Sequence, residues 1–332
     1  MKLLVIGGGV FLGSAFVSAA LARGHQITVF QRGKSSAVPP VGVERILGDR
    51  KTDLARATGD WDAIIDTCAY LPADVRGAIE ALRPSCPYLL VSSISAFAAL
   101  PEPGMTESAQ LHQQDMSGVE AVTGETYGPL KAACERELMA HAAHPIIVRP
   151  GLIVGEQDPS GRFGYWADRI ARGGEVLAPV APDLPAQCID VHDLAAFMLT
   201  LVEQGARDDF NASGPSDLTL GEVLDTARSV SDSEARVTWV SEAFLEQQGV
   251  GAWVELPLWI PSADVSLAGM LRVDCSKARA HGLHCRTIAD TLRSTLAWVN
   301  TPAGQASLAR QLKPEREQAL LAAWHDARQT SG

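Results

Sequence analysis

The chain has 332 residues and a formal net charge of −11, with a sequence pI near 5.2, so it lacks the basic footprint of a nucleic-acid or anionic-membrane binder. Its length allows one large domain or a main domain with a smaller dependent one, and no stretch reaches the ~18 uninterrupted apolar residues of a membrane span. Six cysteines, Cys68, Cys86, Cys134, Cys188, Cys275 and Cys285, are scattered without a disulfide framework; with no basic leader and cleavage pattern at the start, the expected setting is cytoplasmic and the expected partner a small molecule.

An apolar run at 3–6 ends in Gly7-Gly8-Gly9, and 15–22 reads as a helix of small and apolar residues, giving strand, tight turn and helix. Further apolar runs at 27–30, 63–65, 88–91 and 146–148 alternate with helical stretches such as 73–82 and 127–141. Such alternation predicts an α/β fold, a doubly wound parallel sheet of Rossmann type, with the dinucleotide-binding core in residues 1–150. The stretch 98–125 exceeds an ordinary connection and reads as a lid or an insertion. After Pro150 the pattern loosens, with Pro179, Pro182, Pro185, Pro257 and Pro261 and with Trp239, Trp253 and Trp259. Residues 151–332 are expected to form mainly a smaller substrate-binding lobe, some segments returning to the core. Helices are expected at 194–201, at 220–229 with Thr219 as N-cap and Glu222 three residues on, and at 314–327 as a charged amphipathic surface helix. His281, His284 and Cys285 cluster, but no second ligand pair stands at finger spacing, so a solvated loop and no metal are expected.

Gly7-Gly8-Gly9-Val10-Phe11-Leu12-Gly13 sits between the first strand and its helix, where a dinucleotide loop belongs. Gly7 suits the tight turn, backbone amides there can face a pyrophosphate, and Gly13 permits close packing of helix on strand. Val10 stands where a middle glycine often falls, so Gly8 and Gly9 are expected to carry the close contacts. The second strand ends in Gln31-Arg32-Gly33-Lys34, with no acid for a ribose 2′-hydroxyl; Arg32 and Lys34 suit a 2′-phosphate, which favours NADP over NAD. Asp49, in Gly48-Asp49-Arg50 after the expected third strand, reads either as an acceptor for the adenine amino group or as a turn aspartate.

Tyr127 precedes Lys131 by four residues, which on a helix puts phenol and ammonium on one face. The ammonium is expected to favour the phenolate and draw the tyrosine toward neutral pH. Taken with Gly48-Asp49, Val91-Ser92-Ser93, Val148-Arg149-Pro150-Gly151, Ile189-Asp190-Val191-His192-Asp193 and Phe210-Asn211-Ala212, the glycine loop and the Tyr127–Lys131 pair make the chain resemble, over nearly its whole length, the extended short-chain dehydrogenase/reductases of the NAD-dependent epimerase/dehydratase family.

That resemblance implies that Ser93 orients a substrate carbonyl, with Ser92 and Ser95 as neighbours, that Tyr127 transfers a proton, and that Lys131 holds the nicotinamide ribose. It places Pro150, Gly151, Leu152 and Ile153 beside the nicotinamide, Thr67, Cys68 and Ala69 beside ribose and diphosphate, and Arg50 next to Asp49 in the nucleotide site. It brings Phe163, Tyr165 and Trp166 toward the substrate, which suits an apolar or aromatic compound, although such aromatics also serve as core. Ile94 and Ser95 follow Ser93 where sugar-nucleotide dehydratases have acids, and Leu152, Ala186 and Gln187 stand where diphosphate ligands are common. The expected protein is an NADP-dependent carbonyl reductase or alcohol dehydrogenase, NAD being possible, and by analogy a homodimer. The rivals are a sugar or nucleotide-sugar epimerase of the same family and a non-catalytic dinucleotide-sensing or RNA-associated protein.

Overall fold

The computed structural model describes residues 1–33 and 40–330. In chain order the elements are β1 (Lys2–Ile6), α1 (Phe11–Ala22), β2 (Gln26–Gln31), β3 (Glu44–Leu47), β4 (Ala63–Asp66), α2 (Pro72–Leu82), β5 (Tyr88–Val91), α3 (Gly124–His141), β6 (Pro145–Pro150), β7 (Leu152–Val154), α4 (Arg162–Ala171), β8 (Glu175–Pro179), β9 (Cys188–Asp190), α5 (Val191–Glu203), β10 (Asp209–Ala212), α6 (Leu220–Ser231), β11 (Arg236–Val240), α7 (Glu242–Gln247), α8 (Ser276–Ala280), α9 (Ile288–Val299), α10 (Pro302–Ser307) and α11 (Pro314–Thr330).

Seven strands pair in the order β10-β6-β5-β4-β1-β2-β3, all parallel. The expected doubly wound parallel sheet is therefore present. Its central strands are continuously apolar because helices cover both faces. On one face α1 and α5 bury Phe16, Val17, Leu194 and Met198 against Leu3, Val5 and Ile65. On the other, α2 and α3 bury Val75, Ala78, Cys134 and Leu138 against Leu4, Ile64 and Leu90. β3 lies at the edge and is largely exposed, which is why no apolar run announces it.

The sheet is completed from beyond residue 150: β10 pairs with β6 in register from Asp209 opposite Ile147 to Ala212 opposite Pro150. The second lobe draws on chain both before and after β10: α4, α6 and α9 pack together around Phe163, Trp166, Leu224 and Leu292, with the pairs β8–β11 and β7–β9 alongside. Helix α6 is closed by the expected box, Thr219 Oγ1 accepting from Glu222 N at 3.2 Å and Glu222 Oε2 from Thr219 N at 2.8 Å.

α11 does more than cover the surface. Its Leu320 and Leu321 are buried, and Glu317, 3% exposed, accepts from Arg169 Nε at 2.5 Å and from Leu177 N at 3.0 Å. The stretch between the short turn after Ser93 and α3 is a strap: Phe97 bridges Leu111, Leu100 is buried, and Gly104 N donates to Arg272 O at 2.7 Å. Among the described residues no helix is long and apolar enough to cross a membrane.

Candidate active site

β1 feeds α1 through the glycine loop, and the two ends of that loop touch. A Cβ on Gly13 would lie 2.3 Å from Gly7 O, while one on Gly7, at φ +97°, would lie 2.7 Å from Thr67 Oγ1 and 2.8 Å from Cys68 Sγ. Helix and strand approach this closely only because both positions lack a side chain. Gly8 is buried, its Cβ position 3.0 Å from a Val29 methyl, so it serves packing beneath the loop rather than the close phosphate contact expected of it; Gly9 and the exposed Val10 face the cleft. Phe11 opens α1 four residues earlier than the apolar pattern suggests, at φ +45°, and Leu12 turns into the core. Val10 gives α1 no side-chain cap, so the first-turn amides and the positive end of the helix are directed at the cleft. This cradle, which added Cβ atoms would fill, suits a dinucleotide pyrophosphate. Gly13→Ala is expected to cost about 1–3 kcal/mol by overpacking against backbone, and to weaken NAD(P)H binding by more than it lowers the unfolding midpoint; fluorescence titration beside thermal unfolding checks both.

The cradle opens into a cavity of about 710 Å³ whose walls include Gly7, Gly9, Val10, Arg32, Asp49 and Tyr70. At its far end Gln31 is nearly buried, its amide oxygen 3.1 Å from both Nε and Nη2 of Arg45. Arg32 is exposed on the wall, whereas Lys34 lies outside the described residues. Asp49 Oδ1 accepts from Lys51 N at 2.9 Å, the turn role, and the residue also lines the cavity.

Arg50 lines the same cavity, and its guanidinium donates to both oxygens of the fully buried Asp66, at 3.0 and 2.8 Å, and to Asp74 O at 2.9 Å. Tyr88 OH adds a 2.8 Å bond to Asp66. Burial alone would raise the Asp66 carboxyl, but Arg50 and Tyr88 outweigh it and hold it below the usual carboxylate range. Thr67 Oγ1 sits 3.2 Å from the carbonyls of Ile6 and Gly7 and pins the loop from behind. Burial and then Asp66 push the Cys68 thiol up to about 11, so it stays protonated and unreactive at neutral pH.

The chemical end is assembled by two turns that interlock. Ser93 follows β5 and caps a short 3₁₀ turn, its Oγ accepting from Ser95 N at 3.1 Å. Thr123 and Thr126 cap each other at the start of α3, which carries Tyr127 in its first turn. A Cβ on Gly128 would lie 2.2 Å from Ser95 O, so the glycine lets α3 close on the Ser93 turn. The Tyr127 phenol is thereby brought to the Ser93 hydroxyl, near enough for Ser93 to act on its pKa. Ser92, one residue earlier, is committed elsewhere: it donates to Glu135, which Arg149 holds from Nε at 2.9 Å and Nη2 at 2.7 Å in a buried pair.

Lys131 departs from the reading of its spacing. It is 3% exposed, and its Nζ donates to Ala69 O at 2.8 Å and Val91 O at 2.9 Å, as a buried ammonium must find acceptors. It lies 4.7 Å from the centre of the Tyr70 ring and 5.9 Å from that of Tyr127. The Tyr127 pKa is raised: burial dominates, while Ser93 and, further off, Arg162 act against it. The expected lowering by the ammonium is thus absent, and the phenol is an acid at neutral pH.

Pro150 ends β6 beside β5, and Gly151 N donates to Ala212 O at 3.2 Å, with no room for a side chain because its Cβ would lie 2.7 Å from Ser213 Oγ. In β7 Leu152 is buried in the core of the second lobe, whereas Ile153 is half-buried against the core beneath the sheet. Expected near the substrate, Phe163, Tyr165 and Trp166 are instead 0–2% exposed in the core of the second lobe, Trp166 Nε1 donating to Pro257 O at 3.1 Å. The periodicity of α4 puts them on its apolar stripe, and the case for an apolar or aromatic substrate that rested on them falls. Ser95 stays half-buried beside Ser93. Three residues of the site escaped sequence reasoning: Tyr70, Gly128 and Arg162. The signal for Gly128 was its place directly after the tyrosine; Tyr70 and Arg162 had none.

No family model matches the chain. It is similar to the 2-alkyl-3-oxoalkanoate reductase of Stenotrophomonas maltophilia (strain K279a), 28% identical over 177 residues that cover 48% of this chain and 52% of that protein. It is also similar to the chloroplast stem-loop binding protein of 41 kDa b of Arabidopsis thaliana, 24% identical over 237 residues, 66% of this chain and 60% of that one. The matches thus span little more than half the length of these curated relatives. Among solved structures, the UDP-glucose 4-epimerase of Thermotoga maritima superposes with a TM-score of 0.66 at 15% identity, covering 90% of this chain and 99% of that one. The UDP-glucose 4-epimerase of Bifidobacterium longum, solved with NAD+ and UDP, does so at 0.63 and 17%, covering 92% and 100%. The chain thus has the fold of these epimerases, with its glycine loop and its serine, tyrosine and lysine set in the places that its resemblance to the extended short-chain dehydrogenase/reductases implies.

Proposed function

We propose that the protein is an NADP-dependent oxidoreductase that interconverts a small carbonyl compound and its alcohol. The observation that carries this reading is the half-buried Tyr127 phenol, brought to the Ser93 turn and flanked by the buried Lys131, beside a glycine cradle fit for a dinucleotide. When bound, the nicotinamide supplies or accepts the hydride. Ser93 holds the substrate oxygen, and Tyr127 gives that oxygen its proton in reduction and recovers it in oxidation. Because burial keeps Tyr127 protonated, reduction is the direction the free site is prepared for. Lys131, anchored on the Ala69 and Val91 carbonyls, fixes a positive charge behind the tyrosine, where it opposes build-up of a second cation and supports the phenolate once the proton has left. The reductase named among the relatives supports carbonyl chemistry.

The preference for NADP rests on Arg32, exposed on the cavity wall, and on a Gln31 that offers no carboxylate to a ribose. Arg32→Ala is expected to raise KM for NADPH by ~10- to 100-fold, one charge-assisted contact, with far less change for NADH; initial rates with each cofactor check it. The reading as a whole is tested by following NADPH and NADH consumption against a panel of ketones and aldehydes. Failure to oxidise either cofactor with any of them would overturn it.

A second reading, a nucleotide-sugar epimerase, is favoured by the solved structures that share the fold. Against it stand Ala186 and Gln187, both fully buried. The Gln187 amide is consumed by Gly214 O at 2.9 Å, Val273 O at 3.0 Å and Val273 N at 2.9 Å, leaving no side chain there for a diphosphate. Turnover with no net change in nicotinamide absorbance would establish the epimerase instead. The stem-loop binding relative raises RNA association, which a net charge of −11 opposes.

A further inference from the structure

The buried Lys131 ammonium is arranged around Tyr70. One of its two acceptors, Ala69 O at 2.8 Å, is the carbonyl of the peptide bond that leads into Tyr70, and its Nζ lies over the Tyr70 ring, 4.7 Å from the ring centre. The next turn of chain fixes the same residue: Asp74 Oδ2 accepts from the backbone N–H groups of Tyr70 and Leu71, each at 3.0 Å, while Asp74 Oδ1 lies 3.4 Å from Arg50 Nε. A tyrosine that merely decorated the surface would need no such mount. Tyr70 is nevertheless exposed, and the space it borders is the cavity that opens from the glycine cradle.

Strand order in the sheet says which part of the cavity this is. Gln31 ends β2, the glycine cradle follows β1, Tyr70 follows β4 and Ser93 follows β5, and these four strands are neighbours in that order. Tyr70 therefore stands between the cradle and the reacting groups, with its ring centre 6.5 Å from that of Tyr127 and the two planes inclined by 45°. A dinucleotide whose pyrophosphate lies on the cradle and whose nicotinamide reaches Tyr127 has to pass it. The wall is apolar as well as open, since Val10, Tyr70 and Val122, all exposed, line the same cavity. Exposed apolar side chains gathered on one concave wall mark a ligand contact. At this end of a dinucleotide the nicotinamide is the flat, weakly polar part, and a flat aromatic side chain suits it better than it suits ribose or phosphate.

We propose that Tyr70 is a cofactor-binding residue: its ring, mounted on Lys131, is the surface against which the nicotinamide half of the dinucleotide lies. This rests on the dinucleotide reading above, and the test separates the two. Calorimetric titration of the full chain would compare NADPH and NADH with their adenine halves, adenosine 2′,5′-bisphosphate and AMP. Tyr70→Leu keeps an apolar side chain and removes the aromatic one; it is expected to weaken the dinucleotide that the wild type prefers by about 3- to 10-fold, and to leave the matching adenine half unchanged. Tyr70→Phe should keep the affinity for both, with urea unfolding of each variant confirming the fold. A general loosening of the site would instead weaken dinucleotide and adenine half together. If Tyr70→Leu does that, or leaves the dinucleotide unaffected, or if Tyr70→Phe loses as much as Tyr70→Leu, the inference is overturned and the dinucleotide reading stands. A wild type that binds neither NADPH nor NADH would overturn both.

Discussion

Tyr127→Phe is expected to lower kcat by about 10²- to 10⁴-fold, the usual contribution of a positioned general acid. The phenyl ring keeps the packing, so the loss in stability should not exceed that of one hydrogen bond, about 0.5–1.5 kcal/mol. The pH profile carries a sign. Burial raises the Tyr127 pKa, so the protonated acid persists through neutral pH, and carbonyl reduction should fall only as pH climbs through that raised value. Alcohol oxidation, which needs the phenolate, should rise over the same range. Steady-state rates of wild type and variant in both directions across neutral and alkaline pH would check this. A variant retaining more than about a tenth of kcat would remove Tyr127 from the proton path.

Asp66→Asn should produce the largest loss of stability, up to about 3–5 kcal/mol, because it leaves the largely buried Arg50 guanidinium with only its longer 3.4 Å pair to Asp74. Arg50→Met added to it should recover part of the loss, since removing both charges is cheaper than stranding one. The acid limb follows from the depressed Asp66 carboxyl: its stabilisation is present above the unfolded value near ~3.9 and is lost as pH falls through the lower folded value. Wild type should therefore lose stability on acidification below pH ~4, and the Asn variant should show a flatter curve there. Urea unfolding across pH measures both. An equal response to acid in the two proteins would place the acid sensitivity elsewhere.

The sheet was legible because its central strands are buried on both faces and so carry unbroken apolar runs, as at Leu3 to Ile6. β3, exposed at the edge, carried none. Glycine positions were legible as a loop but not in their division of labour: spacing cannot tell that Gly8 packs on Val29 while Gly9 faces the cleft. Four-residue spacing brought Lys131 to the tyrosine's side, yet the lysine's acceptors come from chain more than 39 residues away, Val91 and Ala69, and nothing local discloses them. The same holds for Arg50, whose partner Asp66 lies on the next strand, and for α4, where an aromatic cluster reads alike whether it faces a ligand or a core.

Because α5 and β10 return to the sheet, and Val273, Cys275, Ala278 and Leu283 return to its core after α6 and β11, the chain passes between the sheet and the second lobe several times rather than once. The same arrangement makes the halves mechanically inseparable: a chain cut after residue 150 would expose the edge of β6 to pairing with other molecules and strip α5 from α1.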